Sequence, residues 1–193
     1  VTGAQHQANF DRLGKAGFAP ISLGVYGAPS DPRYAAVWVA GGGGFAAVHG
    51  VNAAQYQTAF QTWSSKGFAP AVVSATGDAG NAVFAVVFRP AQGAWKARHG
   101  MTRAQFDVEN DSARAAQLIL TSVGCYGTPS DRRYIAVWRA NPANVKWQVT
   151  ATVSEAAYQQ EFELWASVPQ FRPVCTSVSS DGAITAVFTD EGI

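Results

Sequence analysis

The ten residues PSDPRYAAVW, from Pro29 to Trp38, return one hundred residues later as PSDRRYIAVW, from Pro129 to Trp138. Similar segments occur midway between the two copies and again after the second: FAVVF begins at Phe84, and ITAVF begins at Ile184. A phrase that recurs about every 50 residues is typical of a protein built from structural repeats. The chain therefore reads as four copies of one unit.

Each unit begins with a stretch of helical periodicity. Tyr56, Phe60 and Trp63 lie at i, i+4 and i+7, which places them on one face of a helix. Gly17 and Gly67 follow two of these stretches at the place of a helix C-cap. Three segments with alternating apolar residues come next and predict three strands. The unit is thus helix–strand–strand–strand.

These units predict an α+β repeat protein that forms a single domain over residues 1–193. One unit cannot bury both a helix and a sheet face alone, so the four units are expected to share a core. We expect a propeller-like ring with the helices outside, and the alternative is an open solenoid. The fourth unit lacks a segment that predicts a third strand, so we expect either the N-terminal segment to complete it or a further group of strands to follow in a longer protein. The approximate unit boundaries are 1–50, 51–100, 101–152 and 153–193.

Composition favours a folded body and argues against several partners. Charged residues make up 14% of the chain, hydrophobic ones 48%, and the net charge is +1. No basic surface for nucleic acid is predicted, and no apolar run approaches the roughly 20 residues of a membrane span. The chain starts at Val1 rather than at Met, which predicts either a removed leader or a piece of a longer, two-domain protein.

The third unit departs from the pattern in its helix. Asn110 occupies the place of Phe10, Phe60 and Phe162, so this helix is expected to pack poorly or to shift its register. Asn110 also begins an Asn-x-Ser triplet, which makes it a candidate glycosylation site. The triplet is equally explained by chance. A glycan requires Asn110 to face solvent.

Few residues suggest catalysis. His49 and His99 fall at the same unit position, where a structural cap or packing role is the first interpretation. The competing hypothesis is an independent hydrolase that uses one of them with Asp78 or Asp107. Motifs for a nucleophilic serine, a dinucleotide or a phosphate loop are missing from the sequence. We expect no catalytic residue, no metal and no cofactor in this chain.

The two PSD loops supply the candidate binding residues. Tyr26 and Tyr126 each precede a loop glycine, and Arg33 and Arg133 end the two loops. Proline, serine and aspartate at these places also fit an ordinary turn, in which an aspartate caps backbone N–H groups. Both interpretations stay open: a structural turn, or a surface whose exposed aromatic residues anchor a partner.

The unit HGVNAAQYQTAFQTWSSKGFAPAVVSATG…VFAVVF, from His49 to Phe88, resembles a known family. It is similar to the bacterial tandem repeat found beside serine β-lactamase-like domains, which also builds the N-terminal domain of fungal polyglycine hydrolases. The resemblance covers essentially the whole chain. It implies a secreted serine protease that cleaves glycine-rich linkers of plant chitinases. The catalytic Ser and Lys of such an enzyme belong to its β-lactamase-like domain, and nothing here matches them.

Three functions remain open on this basis. The first is a non-catalytic module that binds or positions a partner, either the attached hydrolase domain or a plant chitinase. The second is the independent hydrolase with a histidine site. The third is a structural scaffold for a β-lactamase-like hydrolase. The resemblance implies an extracellular location for the parent protein.

Two cysteines bear on that location. Cys125 and Cys175 lie on the first strands of units three and four, and a disulfide between them is a candidate feature of a secreted protein. Their side chains fall on opposite strand faces, because Cys125 aligns with Val25 whereas Cys175 aligns with Ser22. That parity argues against a bond unless the strands are offset.

Overall fold

The computed structural model describes residues 1–167 and 171–190, which form four helices and eleven strands. In chain order these are α1 (Gly3–Lys15), β1 (Phe18–Tyr26), β2 (Arg33–Ala40), β3 (Ala46–Val51), α2 (Ala53–Ser64), β4 (Phe68–Thr76), β5 (Val83–Pro90), β6 (Trp95–Met101), α3 (Arg103–Ala115), β7 (Leu118–Thr128), β8 (Asp131–Ala140), β9 (Trp147–Val153), α4 (Glu155–Ser167), β10 (Arg172–Val178) and β11 (Ile184–Thr189). The predicted order of elements within each unit is confirmed.

Short local signals set where the helices begin and end. Thr2, Asn52 and Thr102 each cap a helix and exchange hydrogen bonds with a glutamine three residues later, which is a capping box. Gly17 and Gly67 follow the ends of α1 and α2 with φ of 79° and 80°. This left-handed conformation suits glycine and turns the chain into the next strand.

The sheets join strands from neighbouring sequence units. β3 pairs with β5, β6 with β8 and β9 with β11, so the third strand of each unit lies in the sheet of the following one. The fourth unit has two strands of its own in the described residues, and β9 from the end of unit three completes its sheet instead of the N-terminal segment. The fourth sheet has three strands, and the first has two, β1 and β2. We therefore define repeat 1 as α1–β2, repeat 2 as β3–β5, repeat 3 as β6–β8 and repeat 4 as β9–β11.

Every sheet has the same two faces. The front face packs on the repeat's own helix, as in repeat 2, where Tyr56 of α2 stacks on Phe84 of β5 with 5.4 Å between ring centroids. The rear face carries the alternate side chains. We call β1, β4, β7 and β10 the inner strands. The pairing of each inner strand shifts register near its start, directly after Pro20, Pro70, Leu120 and Pro173.

The core consists of three successive clusters instead of the single shared interior that the repeat pattern suggested. Each cluster joins the front face of one sheet to the rear face of the next, and the second and third clusters also include residues of α2 and α3. In the first cluster, Leu23, Val25 and Tyr34 of repeat 1 pack on Ala85 and Val87 of repeat 2. Two further clusters join repeat 2 to repeat 3 and repeat 3 to repeat 4 in the same way. Because each core is closed by the following repeat, adjacent repeats depend on one another for burial.

Side-chain hydrogen bonds accompany this packing between inner strands. The Oγ of Ser74 accepts from the Val25 N–H at 3.0 Å, and the Oγ of Ser122 accepts from the Val73 N–H at 3.0 Å. Between β7 and β10, the Oγ of Ser177 accepts from the Cys125 N–H at 3.0 Å. An inner strand pairs with its own sheet along one edge only. The next repeat supplies a hydroxyl group or a thiol to four N–H groups of the other edge, which would otherwise be buried without partners.

Arginine side chains add a second contact at two of these interfaces. Arg89 donates to the carbonyl oxygens of Pro20 and Gly42, and Arg139 donates to that of Pro70 at 2.8 Å. The described residues thus show three interfaces between successive repeats. They do not show the closure of a ring between repeat 4 and repeat 1.

We expect Ser122→Ala to lower the free energy of unfolding by about 1–2 kcal/mol, because it leaves the buried N–H of Val73 without an acceptor. Ser22→Ala is the matched control, since Ser22 holds the same strand position in β1 but is exposed. That control should change stability by less than about 0.5 kcal/mol. Urea unfolding followed by circular dichroism measures both, and equal effects would contradict the role of this hydrogen bond.

Candidate binding cleft between the first and fourth repeats

The rear face of the first sheet is uncovered. Val37 is 55% exposed, whereas Val87, Val137 and Val187, which hold the same register position in the other three sheets, are fully buried. The three buried valines are each covered by the preceding repeat. Repeat 1 has no preceding repeat in the described residues, so its rear face remains open.

The front side of the last inner strand is also uncovered. Val178 of β10 is 58% exposed, whereas Val25, Ala75 and Cys125 at the same position are buried. Thr176, two residues earlier, is exposed as well. The reason is the same in reverse, because the following sheet covers this side of β1, β4 and β7.

These two open faces border one cavity of about 1020 Å³, which residues of all four inner strands line. Val37, Ile21 and Val178 give it an apolar surface, and Ser22 and Thr176 add hydroxyl groups. The described residues that line it include no Asp or Glu, and the arginines at its border, Arg89 and Arg139, donate to backbone carbonyls. A cleft of this size and character suits an uncharged ligand.

The structure separates the two predicted tyrosine anchors. Tyr26 is 51% exposed and lines the cleft. Tyr126 is 3% exposed and packs edge-on against Phe84 with 5.6 Å between ring centroids. Burial raises the pKa of Tyr126 to about 12. The expectation that Tyr126 is exposed is therefore wrong, because repeat 2 covers the position that is open only in repeat 1.

The predicted arginines hold the turns of their own loops. Arg33 forms an ion pair with Asp31 at 2.7 Å, and Arg133 forms one with Asp131 at 2.5 Å. In both loops the aspartate contacts the arginine two residues later, so the ion pair stabilises the turn at the start of the second strand. A binding role for Arg33 and Arg133 stays a prediction.

A contact that the sequence did not predict joins the loops of repeats 3 and 4. Arg132 donates two hydrogen bonds to Asp181, at 2.9 Å and 2.6 Å. These bonds, with one from the Ser179 hydroxyl, hold the pKa of Asp181 well below its usual range. The partners are 49 residues apart, and nothing in their local sequences signals the pair.

The histidines pack as structural groups. His6 is buried in α1, stacks on Tyr34 with 4.9 Å between centroids and meets His49 edge-on at 4.7 Å. The His49 ring shares a hydrogen bond of 2.9 Å with the Oε1 of Gln7, and His99 lies edge-on to Tyr56 at 4.8 Å. Burial, the nearby His49 and the N-terminal amine lower the pKa of His6 to about 4.

Metal ligation and membrane spanning find no support in residues 1–167 and 171–190. No group of three or more His, Cys, Asp or Glu in these ranges is placed to hold a metal ion. None of the helices in that part of the chain is long and apolar enough to cross a membrane.

Comparison with known families identifies the repeat. The model of a family described as "Polyglycine hydrolase-like, structural repeat" matches four times, over residues 1–40, 42–91, 92–141 and 144–189. The chain belongs to this family. The matched segments coincide with the sheets. The second, third and fourth segments begin just before β3, β6 and β9 and end at or just after β5, β8 and β11, the middle strands of the same sheets. The predicted resemblance is confirmed.

Asn110 does not offer a glycosylation site in this polyglycine hydrolase-like repeat domain. It is 4% exposed, and its Oδ1 accepts a hydrogen bond of 3.0 Å from the indole N–H of the fully buried Trp138. A glycan cannot be accommodated there. The expectation that α3 packs poorly is also wrong, because Phe106, Asn110 and Ala113 are all buried.

The two cysteines of the repeat domain are free thiols, so the candidate disulfide is not formed. The Sγ of Cys175 contacts the Val123 N–H at 3.4 Å across the interface between β7 and β10. Cys175 thus accepts from Val123 as Ser122 accepts from Val73 at the interface between repeats 2 and 3. Burial raises the pKa of the Cys175 thiol, which keeps it protonated. Both cysteines reach the interface between β7 and β10, but they are offset along the strands, because Cys175 lies opposite Val123 and Ser177 lies opposite Cys125.

We expect Asn110→Ala to destabilise the repeat domain by about 1–2 kcal/mol, because the buried indole N–H of Trp138 loses its acceptor. Ser112→Ala removes the same glycosylation triplet at an exposed position and should change stability by less than about 0.5 kcal/mol. Thermal unfolding measures both. Expression in a glycosylating host should give the same mass, apart from the substitutions, for the parent and both variants, and a glycan on the parent would contradict the burial of Asn110.

Stability should fall as pH is lowered from about 6.5 to 4, because the unfolded chain protonates His6 more readily than the folded one. Well above pH 6.5 the histidine is neutral in both states, and stability does not depend on it. The loss at pH 4 is up to about 3 kcal/mol for this residue. His6→Phe introduces the side chain that Phe106 has at the same position of α3, and it should reduce this pH dependence in urea unfolding at pH 4–7. An unchanged pH profile would contradict the assignment.

Proposed function

We propose that this chain is the non-catalytic N-terminal repeat domain of a secreted polyglycine hydrolase-like serine protease, and that it binds a polypeptide in the cleft between repeats 1 and 4. The glycine-rich linker of a plant chitinase is the substrate we propose to be positioned there for the attached hydrolase domain. The observation that carries the proposal is the exposure of Val37 and Val178 in the lining of one cavity, when every other copy of these positions is buried.

Large exposed apolar patches on a folded domain commonly mark interaction sites. The cleft joins such a patch to exposed hydroxyl groups and to the ring of Tyr26 at its border. Tyrosine is frequent at binding sites because it combines an apolar ring with a hydrogen-bonding group. Glycine-rich segments carry no bulky side chains, so their backbone can approach the walls of a cleft closely.

The predicted propeller-like ring would close at the position of this cleft. Repeat 4 and repeat 1 are the two repeats between which a propeller-like ring would close. We propose that the polypeptide binds in the cleft between these two repeats. It would then connect repeat 4 to repeat 1 in place of a direct contact between them.

The independent hydrolase is the weaker candidate. A general base needs a hydrogen-bonded partner that orients it and access to substrate. His49 and His99 contact glutamine side chains instead, and neither lines the cleft. A purely structural scaffold is the second candidate, which the buried interfaces between repeats favour. Deleting the domain from the parent enzyme would then reduce the yield of folded protein but not its activity on linker peptides.

The decisive experiment measures binding of a fluorescent glycine-rich linker peptide to the purified chain by anisotropy. We expect saturable binding, and we expect Val37→Glu to weaken it at least about tenfold, because a carboxylate in an apolar site loses its hydration. Val108→Glu is the matched control, since Val108 is an exposed valine on α3 and does not line the cleft. It should bind like the parent.

Two outcomes would overturn the proposal. The first is that the folded chain binds neither linker peptides nor the purified hydrolase domain. The second is that Val37→Glu and Val108→Glu bind as tightly as the parent, which would place any binding outside the cleft.

A further inference from the structure

We propose that the polypeptide in the cleft binds as an extended strand added to the free edge of β10, with its carbonyl oxygens accepting from the N–H groups of Thr176 and Val178. This inference rests on the proposed function and specifies how the partner is recognised. The observation behind it is a row of backbone donors: the following repeat accepts from one or two of them at each of three interfaces, and no following repeat accepts from them at β10 in the described residues.

The repeat fixes the direction of these donors. Val25 in β1, Val73 in β4, and Val123 and Cys125 in β7 direct their N–H groups away from their own sheets, toward a Ser or Cys of the next repeat. Thr176 and Val178 align with Val123 and Cys125, as their register with β11 shows. Their N–H groups therefore point into the cleft, where no following repeat caps them in the described residues.

At the positions that supply acceptors in other repeats, repeat 1 has one hydroxyl group and one glycine, Ser22 and Gly24, as repeat 3 has with Ser122 and Gly124. Ser74 and Ser177, which accept at two of the interfaces, correspond to Gly24 in β1, which has no side chain. Arg89 and Arg139, which fasten their sheets to the preceding repeat, correspond to Val39 in β2. Only Ser22 retains the polar character of its position. Ser22 and Thr176 both line the cleft, whose volume of about 1020 Å³ leaves room between β1 and β10 for a different occupant.

The spacing of the donors favours a polypeptide strand. N–H groups two residues apart on one strand edge are separated by roughly 6.6 Å, which is also the spacing of carbonyl oxygens along one edge of an extended chain. Pairing of a peptide with a free strand edge is a recurrent mode of recognition, in which backbone bonds supply affinity and alternate side chains contact the walls. Here Val37 and Ile21 form the opposite wall.

An uncharged peptide fits better than a saccharide. Sugar recognition relies on aromatic rings that stack on the sugar face, and among the described residues Tyr26 is the one aromatic side chain that lines the cleft. The missing carboxylates and the occupied arginines leave nothing in the lining to attract a charged group. We therefore expect small or β-branched neutral side chains in the occupant.

Amide hydrogen exchange tests the inference directly. The ¹⁵N-labelled chain is mixed with a saturating uncharged peptide of glycine and serine, with an alternating Thr–Val peptide, or with a neutral hexasaccharide. We expect a bound peptide to slow exchange of the Thr176 and Val178 amides at least about tenfold. The Ser177 amide, which points toward β11, serves as the internal control and should change little.

Two substitutions at one position test the donor independently. Thr176→Pro removes the N–H that faces the cleft, and proline is tolerated at a strand edge whose N–H is not used in the sheet. Thr176→Val keeps that N–H and the branched shape. We expect the proline variant to bind peptide about tenfold more weakly and the valine variant to stay within about twofold of the parent. If the proline variant fails to fold by circular dichroism, the exchange experiment decides alone.

The outcomes separate this inference from the proposed function. Peptide binding with no protection of Thr176 and Val178 overturns the strand pairing and leaves the proposed function standing. No binding of any peptide overturns the inference, and no binding of the purified hydrolase domain either overturns the proposed function as well. Protection of these amides by the hexasaccharide and not by the peptides overturns the inference, because the occupant would then be a sugar. Protection without any probe, together with a dimer in sedimentation, makes a second copy of the chain the occupant and overturns the inference.

Discussion

The burial of each sheet's rear face by the preceding repeat is the constraint on which the rest of the structure depends. A helix and a three-stranded sheet bury only the front face, and an isolated repeat would leave a row of valines in water. Val87, Val137 and Val187 are fully buried because a neighbour supplies the missing layer. Ser74 and Ser122 satisfy the neighbour's strand edge at the same contact. Apolar burial and backbone hydrogen bonding are therefore achieved together, and neither would be complete in one repeat.

The same constraint makes the first and last repeats chemically different from the inner ones. In an array whose cores are closed by the next member, one rear face and the front side of one inner strand remain without partners. Linear repeat proteins usually cover such ends with polar capping repeats. Here Val37 and Val178 stay apolar and exposed, and their surfaces border a common cleft. The position of the candidate site thus follows from the assembly of the repeats rather than from a special motif.

Local changes within the repeat are tolerated where the interface chemistry is kept. Asn110 replaces a phenylalanine, yet it fits beneath Trp138 because its oxygen accepts the indole proton. Cys175 replaces a serine at the contact between β7 and β10 and still reaches the backbone of Val123. Each substitution keeps a hydrogen-bonding atom in the required place. This explains how units three and four can differ in sequence from the other units and still keep the geometry of the array.

The sequence by itself determined the repeat, its elements and its family. The spacing of Tyr56, Phe60 and Trp63, the glycines after the helices and the alternating strands are local signals, and local backbone preferences fix them. Tertiary structure alone decided which strands share a sheet and which copy of a position is exposed. Tyr26 and Tyr126 stand in matching sequence contexts, but only Tyr126 has a preceding repeat above it. Exposure depends on neighbours that lie about fifty residues away in the chain, so no local pattern can report it.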